Sequence, residues 1–139
     1  MYRNPKTFSK GRGAQERVNN RFENSHHENI PEFLEYMHKE GETEKIRTTF
    51  QKIFPKTIVN KVLSPDIGIA YSMNPYQGCE HGCVYCYARN THEYWGLGSG
   101  IDFESKILVK EEAPALLEAF LRNRKWKATP IVLSGNTDC

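Results

Sequence analysis

The sequence predicts an α/β fold organised around a parallel strand pair, and three observations carry that prediction. From residue 67 the chain reads strand, cysteine-rich loop, helix, strand, which is the order of a βαβ unit and implies a barrel or an open sheet. The two strand candidates, Ile67-Gly68-Ile69-Ala70 and Ile131-Val132-Leu133, are short unbroken apolar runs, the pattern of parallel strands buried on both faces. Between them lies a helix with apolar residues on one side and complementary charges at its ends.

The elements follow in order. Residues 1–30 are polar and basic and read as an extended arm. Residues 31–54 look helical: Pro31 suits a first turn, Phe33, Leu34, Tyr36 and Met37 have apolar spacing, and Gly41 breaks the run. Ile46, Phe50, Ile53 and Phe54 continue at helix-like intervals until Pro55. Residues 57–63 fit a short strand, and Pro65-Asp66 turns the chain into a second strand over residues 67–73. Residues 87–100 are rich in glycine and aromatics and suggest an ordered loop, and Phe103 to Val109 suggests extended chain. Glu111 to Arg124 is the strongest helix, with Pro114 early and Leu116, Leu117, Phe120 and Leu121 on one side. Thr129 to Leu133 reads as a strand that ends in the turn-like Ser134-Gly135-Asn136-Thr137-Asp138. Two regions result: a basic arm and helical extension over 1–56, and the α/β part over 57–139.

At 139 residues, one domain is the natural expectation, with 38% apolar and 26% charged residues typical of a globular chain. The net charge of +2 is too small to argue for nucleic acid, but its distribution is uneven. Residues 1–21 hold six bases (Arg3, Lys6, Lys10, Arg12, Arg17, Arg21) against Glu16, a local +5; the remainder, 13 bases and 16 acids, carries −3. A basic arm could contact phosphate, although a solvated terminus is the simpler reading. No apolar run approaches the ~18–20 residues of a membrane span. The start of the chain has no apolar core of a signal peptide, so a cytoplasmic location is expected.

Chemistry concentrates in Gly78-Cys79-Glu80-His81-Gly82-Cys83-Val84-Tyr85-Cys86. Three of the four cysteines fall within eight residues, which in a reducing compartment reads as ligation rather than cross-linking. A C-x3-C-x2-C turn can wrap an iron–sulfur cube, and Gly78 and Gly82 allow the tight backbone such wrapping needs. Three thiolates would leave one iron open for chemistry. The rival is zinc, with His81 or His92 as the fourth ligand, in a zinc-stabilised nucleic-acid-binding module. Zinc sites more often show two separated cysteine pairs, and this chain has no second pair.

The spacing, with Tyr85 immediately before the third cysteine and a strand before the loop, resembles the signature of radical S-adenosylmethionine enzymes. The stretch from Ser64 to Lys110, with KGRGAQ in the arm and SGNTDC at the close, resembles the DNA-repair-photolyase-like branch, relatives of spore photoproduct lyase. The resemblance implies that Cys79, Cys83 and Cys86 hold a 4Fe–4S cluster whose open iron binds S-adenosylmethionine. It further implies an external flavodoxin- or ferredoxin-like electron donor, reductive cleavage to a 5′-deoxyadenosyl radical, and a lyase-like activity with nucleic acid as a possible substrate. Tyr85 would lie along the adenine; an ordinary core tyrosine is the alternative. The family's Gly-Gly-Glu element at the second strand is absent, and Gly135, Asn136 and Thr137 stand in its place, as cofactor contacts or as a plain turn. No hydrogen-donor role transfers to Cys139, which falls several residues too late. His81 and His92 fit loop hydrogen bonding better than ligation, His26-His27 fits a polar patch, and Tyr94-Trp95 fits core packing better than base stacking.

The implied architecture is the N-terminal part of a partial (β/α)6 barrel. At ~31 residues per unit, six units need on the order of 190 residues. Only 73 remain from residue 67, enough for two strands and one helix. The expectation is therefore an incomplete barrel that ends after its second strand, inactive alone.

Overall fold

The computed structural model describes residues 12–15, 18–22 and 46–137, which form two small three-stranded sheets with helices packed beside them. One sheet contains β1 (Thr49–Lys52), β5 (Lys106–Val109) and β4 (Tyr76–Gln77). The other contains β2 (Val59–Lys61), β3 (Tyr71–Met73) and β6 (Ile131–Leu133). A nine-residue 3-10 segment (Tyr87–Trp95) and a short helix α1 (Ile101–Ser105) precede β5, and helix α2 (Ala113–Leu121) precedes β6.

In the second sheet β3 and β6 are parallel, Tyr71 opposite Ile131 and Met73 opposite Leu133, while β2 runs antiparallel on the other side of β3. This is the parallel pair expected from the strand–loop–helix–strand order, with α2 in the connection. Pro114 sits in the first turn of α2, where its missing N–H costs nothing. Leu116, Leu117 and Phe120 lie against a core of Ile58, Val59, Met73 and Ala113. Phe120, Trp126 and Tyr71 close that core with ring centroids 4.8–6.1 Å apart and tilted or edge-on geometry. Only one face is covered, however. Val132 and Leu133 are exposed, which corrects the expectation of strands buried on both faces.

The first sheet departs further from expectation. Residues 46–54, expected to continue a helix, contain β1, which pairs in parallel with β5 from Thr49↔Lys106 to Lys52↔Val109. Thr48 and Thr49 are β-branched, and a ready-made partner in Lys106-Ile107-Leu108-Val109 outweighs a weak helical period. The remainder of the expected helix, residues 31–45, lies outside the described residues. Residues 103–109 are likewise helix first and strand second, because α1 ends at Ser105. The strand expected over 67–73 shortens to β3, and the expected turn lies at Pro65-Asp66. Residues 87–100, expected as a loop, hold the 3-10 segment, which ends at Gly96 in a left-handed conformation (φ 73°).

Asn74-Pro75 joins the two sheets: β3 belongs to one and β4 to the other. Lys110 fastens this joint, its backbone N–H donating to the Pro75 carbonyl (3.0 Å) and its Nζ to the Asn74 carbonyl (2.8 Å). Burial pushes the Lys110 ammonium below its ordinary pKa. The cysteine loop begins directly after β4, at this joint.

Candidate metal centre

The loop starts at Gly78, whose φ of 94° is open to glycine and strained for other residues. A Cβ there would sit 2.9 Å from the Phe103 carbonyl and 3.0 Å from His92 Cε1. Cys79 N–H donates to that same Phe103 carbonyl at 3.0 Å, so the loop is stitched to α1 at its first cysteine. Two turns follow, closed by Gly82 N–H to Cys79 O (3.3 Å) and Cys86 N–H to Cys83 O (3.1 Å). Gly82 also has positive φ, 61°, and its missing Cβ leaves room for the Glu104 carboxylate, 2.8 Å from where that carbon would be.

Arg89 holds these turns from behind. Its Nε donates to Cys83 O (3.0 Å) and Nη2 to Gly82 O (2.9 Å), while Nη1 donates to Ser99 O (3.2 Å) and Gly100 O (3.1 Å). Nη2 also pairs with Glu104 Oε1 at 2.6 Å, with the two side chains 10% and 0% exposed. The planar guanidinium fork is what allows one residue to gather four carbonyls and a carboxylate. Glu104 in turn accepts from the backbone N–H groups of Gly13 (3.0 Å) and Ala14 (2.7 Å). The buried charge is thus paired and hydrogen-bonded, as burial requires.

The end of β6 meets the loop from the other sheet. Ser134, at φ 64°, turns the chain after β6, and Asn74 Oδ1 accepts from the Gly135 and Asn136 N–H groups. Thr137 Oγ1 donates to the Gly78 carbonyl at 2.8 Å, and the Tyr87 hydroxyl bonds the Gly135 carbonyl. Gly135, Asn136 and Thr137 are therefore brought to the cysteine loop by hydrogen bonds that hold the turn itself.

Cys79, Cys83 and Cys86 are free thiols; Cys83 is exposed and the other two half-buried. Free cysteine is normally among the most buried residue types, so three accessible thiols in one loop are unusual for inert packing. Their neighbours are equally unprotected: Val84, Tyr85 and Tyr87 are 70%, 87% and 76% exposed. Tyr85 is thus no core tyrosine. Among the described residues, no three His, Cys, Asp or Glu side chains converge on a single metal ion. A tetrahedral zinc site would require sulfurs within ~3.8 Å of one another, given Zn–S bonds of ~2.3 Å. A cube places each thiolate on a separate iron and so spaces them more widely. Three unpaired thiols on one short loop are the donor type that a metal ion or an iron–sulfur cluster takes.

His92 is fully buried, edge-on to Phe103 at 5.0 Å, with Nε2 2.9 Å from the Lys106 carbonyl. That acceptor requires the proton on Nε2, and Nδ1 has no hydrogen-bond partner. Desolvation by burial lowers its pKa, opposed by the Lys106 carbonyl. His92 is a core residue beneath Gly78. His81 is exposed. Tyr94 and Trp95, expected in the core, are 72% and 40% exposed, and Tyr94 instead lies against Phe22 with centroids 5.4 Å apart. In the 3-10 segment the buried positions are taken by Ala88, Arg89, His92 and Glu93. Cys139, Asp138 and His26-His27 lie outside the described residues.

Sequence reasoning missed Arg89, Glu104, Asn74 and Tyr87. Arg89, three residues after Cys86, and Glu104, directly after Phe103 and shortly before the apolar Ile107-Leu108-Val109, were signals of a buried pair. Two of the six bases of the arm, Arg12 and Arg21, lie among the described residues. Arg12 is committed to the carbonyls of Glu104 (2.7 Å) and Ile46 (2.9 Å) and to Thr48 Oγ1 (3.0 Å), and Arg21 lies 2.7 Å from Glu93 and over the Phe22 ring. These two bases are engaged in the fold rather than offered to phosphate.

No family model and no solved structure matches the chain. It is similar to an uncharacterized protein of Mycobacterium tuberculosis, 38% identical over 91 residues, covering 65% of this chain and 27% of that protein. A Mycobacterium bovis protein, also uncharacterized, matches to the same extent. An uncharacterized protein of the archaeon Methanocaldococcus jannaschii is 36% identical over 67 residues, 48% of this chain and 24% of its own. The chain spans about a quarter of the length of these curated relatives. No helix among the described residues is long and apolar enough to cross a membrane.

Proposed function

We propose that this chain carries the cluster-binding part of a radical S-adenosylmethionine enzyme, with Cys79, Cys83 and Cys86 as thiolate ligands to a 4Fe–4S cluster. The observation that carries the proposal is a C-x3-C-x2-C loop whose three thiols are free and accessible while its backbone is locked from behind by Arg89. That division suits a cofactor held on the open side.

Cys79, Cys83 and Cys86 would hold the cluster, which would supply one-electron reduction of the sulfonium of S-adenosylmethionine. The protein's part is to hold and orient. Thr137 and the Asn74-fastened turn at Gly135 and Asn136 set the end of β6 beside the loop, where this polar turn suits an amino acid moiety. Tyr85, almost fully exposed beside Cys86, offers a ring face for adenine. The one-sided cover of β3 and β6 is compatible with the opening of a partial (β/α)6 barrel whose later units lie elsewhere in a longer protein. Turnover then belongs to that longer protein, with a flavodoxin- or ferredoxin-like donor, a cytoplasmic setting and, by resemblance alone, a lyase-like reaction on nucleic acid.

Anaerobic reconstitution of the chain with ferrous iron and sulfide tests the reading. The expected result is about four irons and four sulfides per chain, lost when any one of the three cysteines is replaced by alanine. Binding of about one zinc, with no retained iron or sulfide, would overturn it.

A further inference from the structure

One short piece of the N-terminal arm, Arg12-Gly13-Ala14, does more than decorate the surface. Gly13 lies so close to the cysteine loop that a Cβ on it would fall 1.8 Å from the Gly82 carbonyl. Its N–H and that of Ala14 occupy the two oxygens of Glu104, which is completely buried directly behind Gly82. Arg12 spans the same region: one nitrogen donates to the Glu104 carbonyl, the other to the Ile46 carbonyl and to Thr48 Oγ1. The Thr48 hydroxyl then bonds Glu80, inside the cysteine loop. The arm therefore reaches the first turn of the loop at two points, at Glu80 through Thr48 and at Gly82 directly.

We propose that Arg12, Gly13 and Glu104 are positioning residues for the metal centre: the arm is a clamp that sets the shape of the cysteine loop, and cluster retention depends on it. The inference rests on the cluster reading above, but its physical core does not. Glu104 with both oxygens fixed holds Arg89, and Arg89 holds the Gly82 and Cys83 carbonyls. Releasing Gly13 and Ala14 leaves a buried carboxylate with one partner among these, a state that drives local opening. The opening would occur at the segment that carries the thiols. Glycine is required at 13 because no side chain fits between the arm and Gly82.

The test uses the full chain and two readouts. In the metal-free protein, iodoacetamide labelling of each loop cysteine is followed by mass spectrometry; after anaerobic reconstitution, iron and sulfide are measured following gel filtration. Gly13→Val, Arg12→Ala and Glu104→Gln are compared with Arg122→Ala, a change in an exposed pair on α2 remote from the loop. Half-buried Cys79 and Cys86 are expected to label about tenfold faster in the three clamp variants, the signature of local opening. Iron retention should fall by at least half in the same variants, and Arg12→Lys should be intermediate, since a lysine cannot reach all three acceptors. In Arg12→Ala, far-UV circular dichroism and the thermal transition should remain those of Arg122→Ala; Glu104→Gln also unpairs the buried Arg89, so its midpoint should fall and its labelling is read below the onset of unfolding. Unchanged labelling and iron in Gly13→Val and Arg12→Ala would overturn the clamp, as would acceleration that merely tracks global unfolding. If the unmodified chain takes up no iron while the clamp variants still label faster, the clamp stands and the cluster reading falls.

Discussion

Replacing Arg89 by alanine should be among the most damaging single substitutions in the molecule. The side chain makes five hydrogen bonds: four to the carbonyls of Gly82, Cys83, Ser99 and Gly100, and one to Glu104. Its loss strands a carboxylate of zero exposure, and breaking one side of a buried pair costs about 3–5 kcal/mol. The carbonyls add to this, each unsatisfied acceptor costing about 1–3 kcal/mol if water cannot reach it, though not additively. Against a typical domain stability of roughly 5–15 kcal/mol, Arg89→Ala should remove a large share of the stability while leaving a urea transition to measure. The pair term can be isolated with Glu104→Leu and the double variant. Removing both charges should recover the part of the loss due to the stranded carboxylate, giving a coupling of about 1–3 kcal/mol in a urea-unfolding cycle. The carbonyls and the Gly13 and Ala14 N–H groups remain unpaired in the double variant, so recovery should be incomplete. Additive effects of the two single changes, or a loss of under about 1 kcal/mol for Arg89→Ala, would refute the view that this pair organises the loop.

Gly78→Ala should lower stability by about 1–3 kcal/mol, because it combines a left-handed backbone with contacts to the Phe103 carbonyl and His92, and a melting curve should show the drop. Cys83→Ser should remove iron binding yet change the stability of the metal-free chain by no more than ~0.5 kcal/mol in urea, since the thiol is exposed. His92, with its pKa lowered by burial, contributes stability that is fully present above the unfolded value of 6.5 and lost as pH falls below it. The slope there should approach, but not exceed, about 1.4 kcal/mol per pH unit, and His92→Gln should flatten that part of the profile in urea midpoints taken between pH 7 and pH 5.

The parts of the fold that were legible in the sequence are those whose signal is local. Helix α2 announces itself through Pro114 and the Leu116, Leu117, Phe120 face, and β6 through three consecutive branched or apolar residues. Strand β1 was not legible, because Ile46, Phe50 and Ile53 are also compatible with a helical period and its partner is more than fifty residues away. The strand lengths were overestimated where Ile67 and Ile69 looked buried; neither is, since α2 covers only residues nearer the parallel pair. At the candidate site the three cysteines and their two glycines were readable from spacing alone. The support behind them was not, since Arg89, Glu104 and Gly13 are joined by contacts across up to 91 positions of sequence. A charge inside an aromatic run hints at burial but does not name its partner.

The position of the loop explains why so much support converges on it. A turn rich in glycine and exposed thiols contributes little of its own packing, and its conformational entropy must be offset by contacts from outside. It leaves β4, a strand of two residues, and so inherits almost no rigidity from its own sheet. Rigidity comes instead from two sides at once: α1 supplies the Phe103 carbonyl and Glu104 on one, while Thr137 and Tyr87 tie it to the end of β6 on the other. Asn74 and Lys110 hold the joint between the sheets. With its backbone satisfied from behind in this way, the loop can leave Cys83 and Tyr85 uncovered without fraying, and an open face on a fixed turn is what a ligand that must be approached from solvent requires.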